Sequence, residues 1–392
     1  MASAETADIV IVGGGVIGTS IAFFLAQRRP GRIIVLERDT LGSGSTGRSV
    51  ASIDLFTLQP AAVELEARSH RIFSHFSELT GGVCGLVTTG FAMLAGSETA
   101  DGLPRAVTMM ESAGVEAQLL SPALFGELDP GADVSDLKAV AYVPAGGYGD
   151  PMLTTNAFAA AARKLGATIE QGRSVVGLSL NGEVVTGVET SAGPIAAPVV
   201  VCAAGPWTGR LLRQLGLDNL GLTPVRHPAV ALHNLADDGG PRFSLLDLPH
   251  RIYARPESGG LTLAGSIDPV AGYDFAEPED AFGRVPPDYT LWTMERLVQR
   301  YPALETSELR PGWSGPMTLS PDWQPLLGAH PELSGLYCAA GFSGQGFKIS
   351  PAVGDLMAGL VAGEAEAAEL LAPFRLTRFV EGQPLAAGVF GG

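Results

Sequence analysis

An α/β fold (α+β overall), in which a helix-flanked parallel sheet carries a separate antiparallel sheet, is predicted by three features of the sequence. The first runs from Asp8 to Glu37: an apolar strand, Ile9 to Val12, then Gly13-Gly14-Gly15-Val16-Ile17-Gly18, a helix, and a second strand ending in an acid. The second is a later strand, glycine loop and helix between Leu336 and Val361. The third is a set of strand-like segments between Val225 and Ala264, separated by polar turns, as antiparallel neighbours require.

In the opening unit the three motif glycines do different things. Gly13 makes the tight turn, Gly15 admits a pyrophosphate against bare backbone, and Gly18 lets the helix pack on the strand. The helix, Thr19 to Gln27, directs its N-terminal dipole and free N–H groups at phosphates. Glu37 lies 19 residues after Gly18, directly after the apolar run Ile33 to Leu36. A carboxylate there accepts both ribose hydroxyls of an adenosine and repels a 2′-phosphate. This ordering is that of a Rossmann-type dinucleotide-binding domain, and by itself it leaves FAD and NAD both open.

Composition bounds the rest. At 392 residues with 46% hydrophobic content, the chain exceeds the usual size of a single core, so two domains are expected. No apolar stretch approaches a membrane span, and Met1 to Asp8 lacks a basic or apolar leader, which suggests a cytoplasmic protein. Cys84, Cys202 and Cys338 are scattered and odd in number, against a disulfide framework or a cysteine metal site. A net charge of −16 argues against nucleic acid and anionic membrane as partners. Lysine occurs only at Lys138, Lys164 and Lys348.

The remaining elements follow in chain order. The segment Leu41-Gly42-Ser43-Gly44-Ser45-Thr46-Gly47-Arg48-Ser49 is too small and flexible for a strand and is expected to fold over the cofactor. A helix is expected from Ala61 to Leu79, stopped by Gly81, and another from Thr154 to Leu165, opened by Thr154 and stopped by Gly166. Between them lie short strands such as Val87 to Leu94. Thr168 to Glu170, Ser174 to Leu180 and Val184 to Glu189 read as strands, with Asn181-Gly182 as a hairpin turn. The strand Pro198 to Cys202 runs into Ala203-Ala204-Gly205-Pro206-Trp207, small residues that admit a bulky flat ligand. A helix from Thr290 to Tyr301 follows the antiparallel strands, and the tail from Gln383 is expected to fray.

Gly341-Phe342-Ser343-Gly344-Gln345-Gly346-Phe347-Lys348 lies between the strand Leu336 to Ala340 and a helix expected over Pro351 to Val361, with Pro351 in its first turn and Ser350 as its cap. Its positive end, with Lys348 nearby, suits the negative charge of a reduced flavin, whereas nicotinamide needs no such partner.

With these segments in place, the chain resembles the FAD-dependent D-amino-acid oxidase superfamily, in the branch of sarcosine oxidase, dimethylglycine dehydrogenase, glycine oxidase and D-arginine dehydrogenase. The resemblance rests on Ile11 to Gly18, Gly42 to Ser49, Gly147-Tyr148-Gly149-Asp150-Pro151, Ala204 to Trp207, Trp313-Ser314-Gly315 through Pro321-Asp322, and Gly341 to Lys348, in the family's order. It implies an FAD-binding domain assembled from residues 1–80, 150–220 and 325–385. A substrate domain from 81–149 and 221–324 and a flexible tail over 386–392 complete the expected division. It further implies that Gly13, Gly15, Val16, Ile17 and Gly18 form the phosphate-binding turn, that Glu37 holds the adenosine ribose and Ser45 and Thr46 the pyrophosphate side, and that Arg38, Arg48 and Ser49 also bind the cofactor. Val175 would hold the adenine by backbone contacts. Ala204, Gly205, Trp207, Gly315 and Gly341 would line the cofactor, with Gly344, Gln345, Gly346, Phe347 and Lys348 at the pyrimidine edge of the flavin. Tyr253 matches a tyrosine that closes the substrate site in the family's D-arginine dehydrogenases.

The departures carry further expectations. Relatives that attach FAD covalently use a cysteine at the position of Gly315 or a histidine near Arg48, so binding here is expected to be non-covalent. Thr262 stands where sarcosine oxidases place a lysine over the flavin to activate oxygen, which leaves oxygen or another electron acceptor as the oxidant. Arginines that grip a substrate carboxylate are replaced by Asp54 and Met317, leaving Lys348, Arg226 or Arg255 as possible anion partners. Asp54 either faces a cationic substrate group or lies on a solvated loop. The expected chemistry is oxidation of the C–N bond of an amino acid or a secondary or N-substituted amine, with hydride passing to flavin N5 and the imine hydrolysing. Lys348, Tyr253, Gln345 and Asp54 are the candidate catalytic residues. No general base is required and none is evident, since Gln345 stands where relatives often have histidine. The alternatives are a 2-hydroxy-acid or glycerophosphate dehydrogenase, which needs such a base, and a flavin-carrying electron-relay subunit of a larger complex. A homo-oligomer or a partner subunit is compatible with either, and no metal is expected.

Overall fold

The structure, a computed structural model, describes residues 5–28, 31–57, 59–217, 220–235 and 239–385. The expected tail over 386–392 lies outside them. Gln383 and Leu385 are not frayed: the Gln383 side chain accepts from Arg375 and the Leu385 N–H donates to Asp322 at 2.9 Å.

A six-stranded sheet runs in the order Leu326–Ala329, Leu336–Ala340, Val199–Cys202, Ile9–Val12, Ile33–Glu37, Thr168–Gln171, parallel throughout except for the antiparallel edge strand Leu326–Ala329. Its central strands are apolar on both faces because both are covered. Ile9 and Ile11 pack with the helices Val16–Arg28, Pro151–Lys164 and Gly346–Val361, while Val10 and Val12 face a hairpin sheet and the helix Thr208–Gln214. That hairpin joins Val175–Asn181 to Val184–Thr190.

The second large sheet is built from 91–95, 118–120, 139–143 and segments between 223 and 319. It is antiparallel as expected save for one pair: Ser244–Asp247 runs parallel to Phe91–Ala95, at the seam where the two sequence segments of this sheet meet. A seam between distant segments needs no hairpin turn, so nothing forces antiparallel pairing there.

Five helix boundaries differ from the sequence reading, and two of these helices, Val16–Arg28 and Pro287–Arg300, simply begin three residues earlier than the expected Thr19 and Thr290. The helix expected at Thr154 starts at Pro151, because Asp150 caps it, accepting from the N–H groups of Met152 and Leu153 at 2.8 Å each. The helix expected over 61–79 breaks at His75 into Val63–Ser74 and Phe76–Thr80, closed by Gly81 at φ 71°. The helix expected at Pro351 starts at Gly346, so Ser350 is not its cap and Pro351 lies inside it. A proline there leaves the Phe347 carbonyl without its backbone donor. The Ser350 hydroxyl donates to that carbonyl at 2.8 Å, and the next N–H, of Ala352, donates to the Ser69 hydroxyl at 3.1 Å.

The Val16–Arg28 and Gly346–Val361 helices cross in contact at Gly354, where an added Cβ would lie 2.0 Å from the Ser20 hydroxyl oxygen and 2.8 Å from its carbonyl carbon. Alanine gains about 1 kcal/mol over glycine by helix propensity, but overpacking a tight core contact costs about 1–3 kcal/mol. Gly354→Ala is therefore expected to lose up to about 2 kcal/mol of stability, the overpacking cost less the propensity gain. Urea denaturation checks this, and a stabilised variant would show that the two helices are free to move apart.

Candidate active site

The two glycine loops end adjacent parallel strands or their neighbours, so the helices that follow both present their N-terminal N–H groups to one cleft. At the first loop, Gly18 packs under Gly13: an added Cβ would meet the Gly13 carbonyl oxygen at 2.0 Å. Gly13 itself has φ 111° and abuts the Ala203 carbonyl, bringing the third strand end against the same turn. The Val16 N–H donates to the Thr46 hydroxyl at 3.2 Å, so Thr46 lies across the helix N-terminus. The Glu37 carboxylate accepts from the N–H of Gly14 at 2.8 Å and of Asp39 at 2.9 Å.

These loops wall a cavity of about 590 Å³ that extends from Glu37 and Val175 to Asp54, Leu246 and Tyr253 on the second sheet. All residues expected to bind the cofactor line it except Gly18, which lies beneath the first turn as a packing residue. Asp54, Tyr253, Gln345 and Lys348 also line it.

The segment after Gly42 is stapled to the second sheet. The Ser45 hydroxyl donates to Pro316 O at 2.6 Å, the Trp313 indole N–H donates to Arg48 O at 2.8 Å, and a Cβ on Gly315 would strike the Arg48 side chain at 2.5 Å. At the Glu37 end, Glu279, missed in the sequence, accepts from the Trp207 indole at 2.7 Å and pairs with Arg210 at 2.6 Å and Arg38 at 3.1 Å. Those donors, Arg210 foremost, hold its carboxyl down at about 2. The Arg38 guanidinium lies 4.0 Å over the Trp207 ring.

At the other end Lys348 is not a free cation. Its ammonium pairs with Asp54 and with Glu66, the latter at 3.0 Å, and all three side chains are buried. Asp54 thus lies neither on a solvated loop nor unpartnered, because the helix beginning at Gly346 turns the lysine towards it. Glu66 was missed, although an acid on the buried face of the Val63–Ser74 helix, with Ser69 and Phe73, marks it in retrospect. Burial, then the charge of Asp54, pushes the Glu66 carboxyl up to about 7 against the pull of Lys348. Burial opposes the charge on Lys348, but the two carboxyl groups raise its pKa on balance.

The other proposed anion partners are elsewhere. Arg255 is buried, donating to Val50 O at 2.6 Å and pairing with Glu257 at 3.0 Å, and Arg226 donates to Asp280 O at 2.5 Å; neither lines the cavity. Thr262 is likewise off the cavity, its hydroxyl donating to the Asn234 side chain at 3.0 Å.

A histidine does reach the cavity, from a place the sequence did not flag. His227 lines it beside Tyr253 and Tyr273, with Nδ1 2.9 Å from Gly272 O and Nε2 3.5 Å from the Tyr253 hydroxyl. The carbonyl can only accept, so Nδ1 carries the proton and Nε2 is bare. Burial lowers its pKa to about 4, and the ring is neutral near pH 7. Gln345 donates to Trp323 O at 3.0 Å. The Thr318 hydroxyl lines the cavity, buried and without a hydrogen-bond partner, as a ligand-facing group would be.

The bare glycine turns, two helix N-termini, the pinned acid of Glu37 and the orphan Thr318 hydroxyl fit a flavin dinucleotide along the cavity. Glu66 also sets a pH dependence. Its folded pKa is raised above the unfolded value of 4.5, so the stability it contributes is full below pH 4.5 and is lost as pH rises through about 7. Glu66→Gln is expected to flatten the fall in stability over that window by at most about 1.4 kcal/mol per pH unit. Urea denaturation of both proteins at pH 5 and 7.5 checks it, and identical slopes would refute the shift.

The family model described as FAD dependent oxidoreductase matches residues 8–360. Glycine oxidase of Geobacillus kaustophilus (strain HTA426) is 31% identical over 389 residues, covering 95% of this chain and 97% of that protein. Mitochondrial sarcosine dehydrogenase of Homo sapiens is 30% identical over 371 residues, covering 90% of this chain but 39% of that protein, so the chain spans about two fifths of that relative. The crystal structure of L-proline dehydrogenase from P. horikoshii superposes with a TM-score of 0.87 at 27% identity, covering 97% of this chain and 99% of that one. No helix among the described residues is long and apolar enough to cross a membrane. The chain belongs to the FAD dependent oxidoreductase family and is an FAD-dependent oxidoreductase.

Proposed function

We propose that the protein oxidises the C–N bond of an amino acid or a secondary or N-substituted amine to an imine, which hydrolyses in water. The two relatives and the solved structure named above act, by their names, on glycine, sarcosine and L-proline, all of which carry a C–H beside nitrogen. FAD, when bound, supplies the two-electron hydride acceptor. We assign its phosphates to the Gly13–Gly18 turn, its adenosine to Glu37 and Val175, and its ring to the Ala204–Trp207 and Gly344–Lys348 segments, without a covalent tether. The parallel sheet would then carry the cofactor and the second sheet the substrate wall.

The observation that carries this reading is the state of His227. An alcohol must surrender a hydroxyl proton to be oxidised, and a base serves best with a pKa near the working pH. A neutral ring with a pKa of about 4 suits that task poorly. An amine reacts as its free base, after its ammonium proton has passed to water, and the nitrogen lone pair then drives hydride loss without a protein base, so the cavity favours nitrogen over oxygen substrates. Tyr253, Tyr273 and Leu246 supply walls that exclude water and orient the C–H.

The experiment is anaerobic mixing of the holoprotein with amines, amino acids and 2-hydroxy acids while flavin absorption is followed. Bleaching by amines is expected, and bleaching by hydroxy acids alone would overturn the assignment. His227→Asn is expected to keep kcat within tenfold, whereas loss of a working general base costs about 10²–10⁴-fold. Glu279→Ala is expected to weaken FAD retention less than tenfold, since each exposed ion pair contributes about 0.2–1 kcal/mol. Flavin release on dilution measures it, and unchanged release would show that the Glu279 contacts play no part in retaining FAD.

A further inference from the structure

The charges around the cavity are unevenly committed. Among the described residues, its lining cations are Arg38, Arg48, Arg210 and Lys348. Arg38 and Arg210 are drawn to Glu279 at the adenosine end. Arg48 donates to Ser43 O at 2.5 Å and lies 4.8 Å over the Phe282 ring. Only Lys348 serves the substrate end, and it faces two carboxyl groups, Asp54 and Glu66. His227, the other basic side chain there, donates from Nδ1 to a backbone carbonyl and turns its bare Nε2 to the Tyr253 hydroxyl at 3.5 Å, so it brings no positive charge. A carboxylate arriving at this end would lose its water, find no uncommitted cation, and lie beside Asp54. Desolvating an anion without a partner is strongly unfavourable.

The same end welcomes positive charge. Two carboxyl groups, Asp54 and Glu66, share the single Lys348 ammonium, Asp54 lines the wall, and the aromatic residues Tyr253 and Tyr273, a type of surface that cations favour, line it beside His227. The first-turn N–H groups of the Gly346–Val361 helix are the remaining positive feature, and on the proposed reading they serve the flavin.

Resting on the amine reading above, we infer that the substrate is an amine with no carboxylate beside the reacting carbon, its other end being neutral or cationic and a cationic end being preferred. The recognition elements are Asp54, which faces the positive end, and the aromatic wall of Tyr253, Tyr273 and His227.

The test uses the FAD-loaded protein and three secondary amines of matched shape: N-methylglycine, its amide, and N-methylethane-1,2-diamine. Their far ends carry negative, zero and positive charge. The amide and the diamine are expected to bleach the flavin anaerobically with at least tenfold higher second-order rate constants than N-methylglycine. Asp54→Asn is expected to narrow that ratio at least tenfold, by releasing Lys348 towards the carboxylate. A second readout needs no turnover: thioether analogues, with sulfur in place of nitrogen, are titrated against flavin absorption for Kd. The carboxylate thioether is expected to bind at least tenfold more weakly than its amide. Equal or tighter binding of the carboxylate, or faster bleaching by N-methylglycine, would overturn the inference. If no amine bleaches the flavin, the C–N reading fails, while the thioether affinities still decide the charge preference.

Discussion

The close crossing of the two glycine-started helices is the constraint on which the site depends. Gly18 against Gly13, and Gly354 against Ser20, bring the two helices within backbone contact of the sheet and of each other. Each helix alone is a weak anion site at best. Held together at the ends of one parallel sheet, they direct two helix N-termini, with their positive dipole ends, into a shared cleft. Close packing is what makes this arrangement rigid, since any side chain at those glycines would separate the elements by more than a bond length.

That geometry decides the fate of Lys348. Because the helix begins at Gly346 rather than at the proline, Lys348 falls in its first turn, and its side chain passes under the cavity floor to Asp54 and Glu66. Three elements distant in sequence meet in this one cluster: the loop after Ser52–Ile53, the Val63–Ser74 helix and the late glycine loop. A buried lysine needs a carboxylate partner, and the second carboxyl group finds itself in excess, which is why Glu66 tends to keep its proton. The cluster therefore binds the fold together and leaves the Lys348 ammonium committed to carboxyl groups of the protein.

The second sheet contributes by what it holds against the first. Arg48 with Gly315, Ser45 with Pro316, and Arg38 with Glu279 tie the glycine-loop segments to residues some 240 to 270 positions away, and Glu279 also holds Trp207 and Arg210, about 70 positions before it. These ties turn an open nucleotide cleft into an enclosed cavity. The strand Thr223–His233 then presents His227 inward between two tyrosines, completing an aromatic wall in which, among the described residues, the lining cations are already engaged.

The sequence by itself determined the parallel sheet, both glycine units and nearly every residue along the cofactor cleft. These are local matters: a turn that tolerates only glycine, a strand apolar on both faces, a helix that starts where its N–H groups are free. Even local signals competed where two were present, as when Asp150-Pro151 rather than Thr154 opened a helix, and when Ser350 and Ser69 satisfied the backbone around Pro351 so that its helix could begin a turn earlier. What only the tertiary structure decided is how charged and titratable side chains are paired. Lys348 lies some 280 to 290 residues from Asp54 and Glu66, and nothing in their own neighbourhoods says that the three meet; His227 looks like any polar strand residue until Gly272 and Tyr253 close around it. Pairing across sheets is set by long-range packing, and packing is what fixes the electrostatic character of the substrate end.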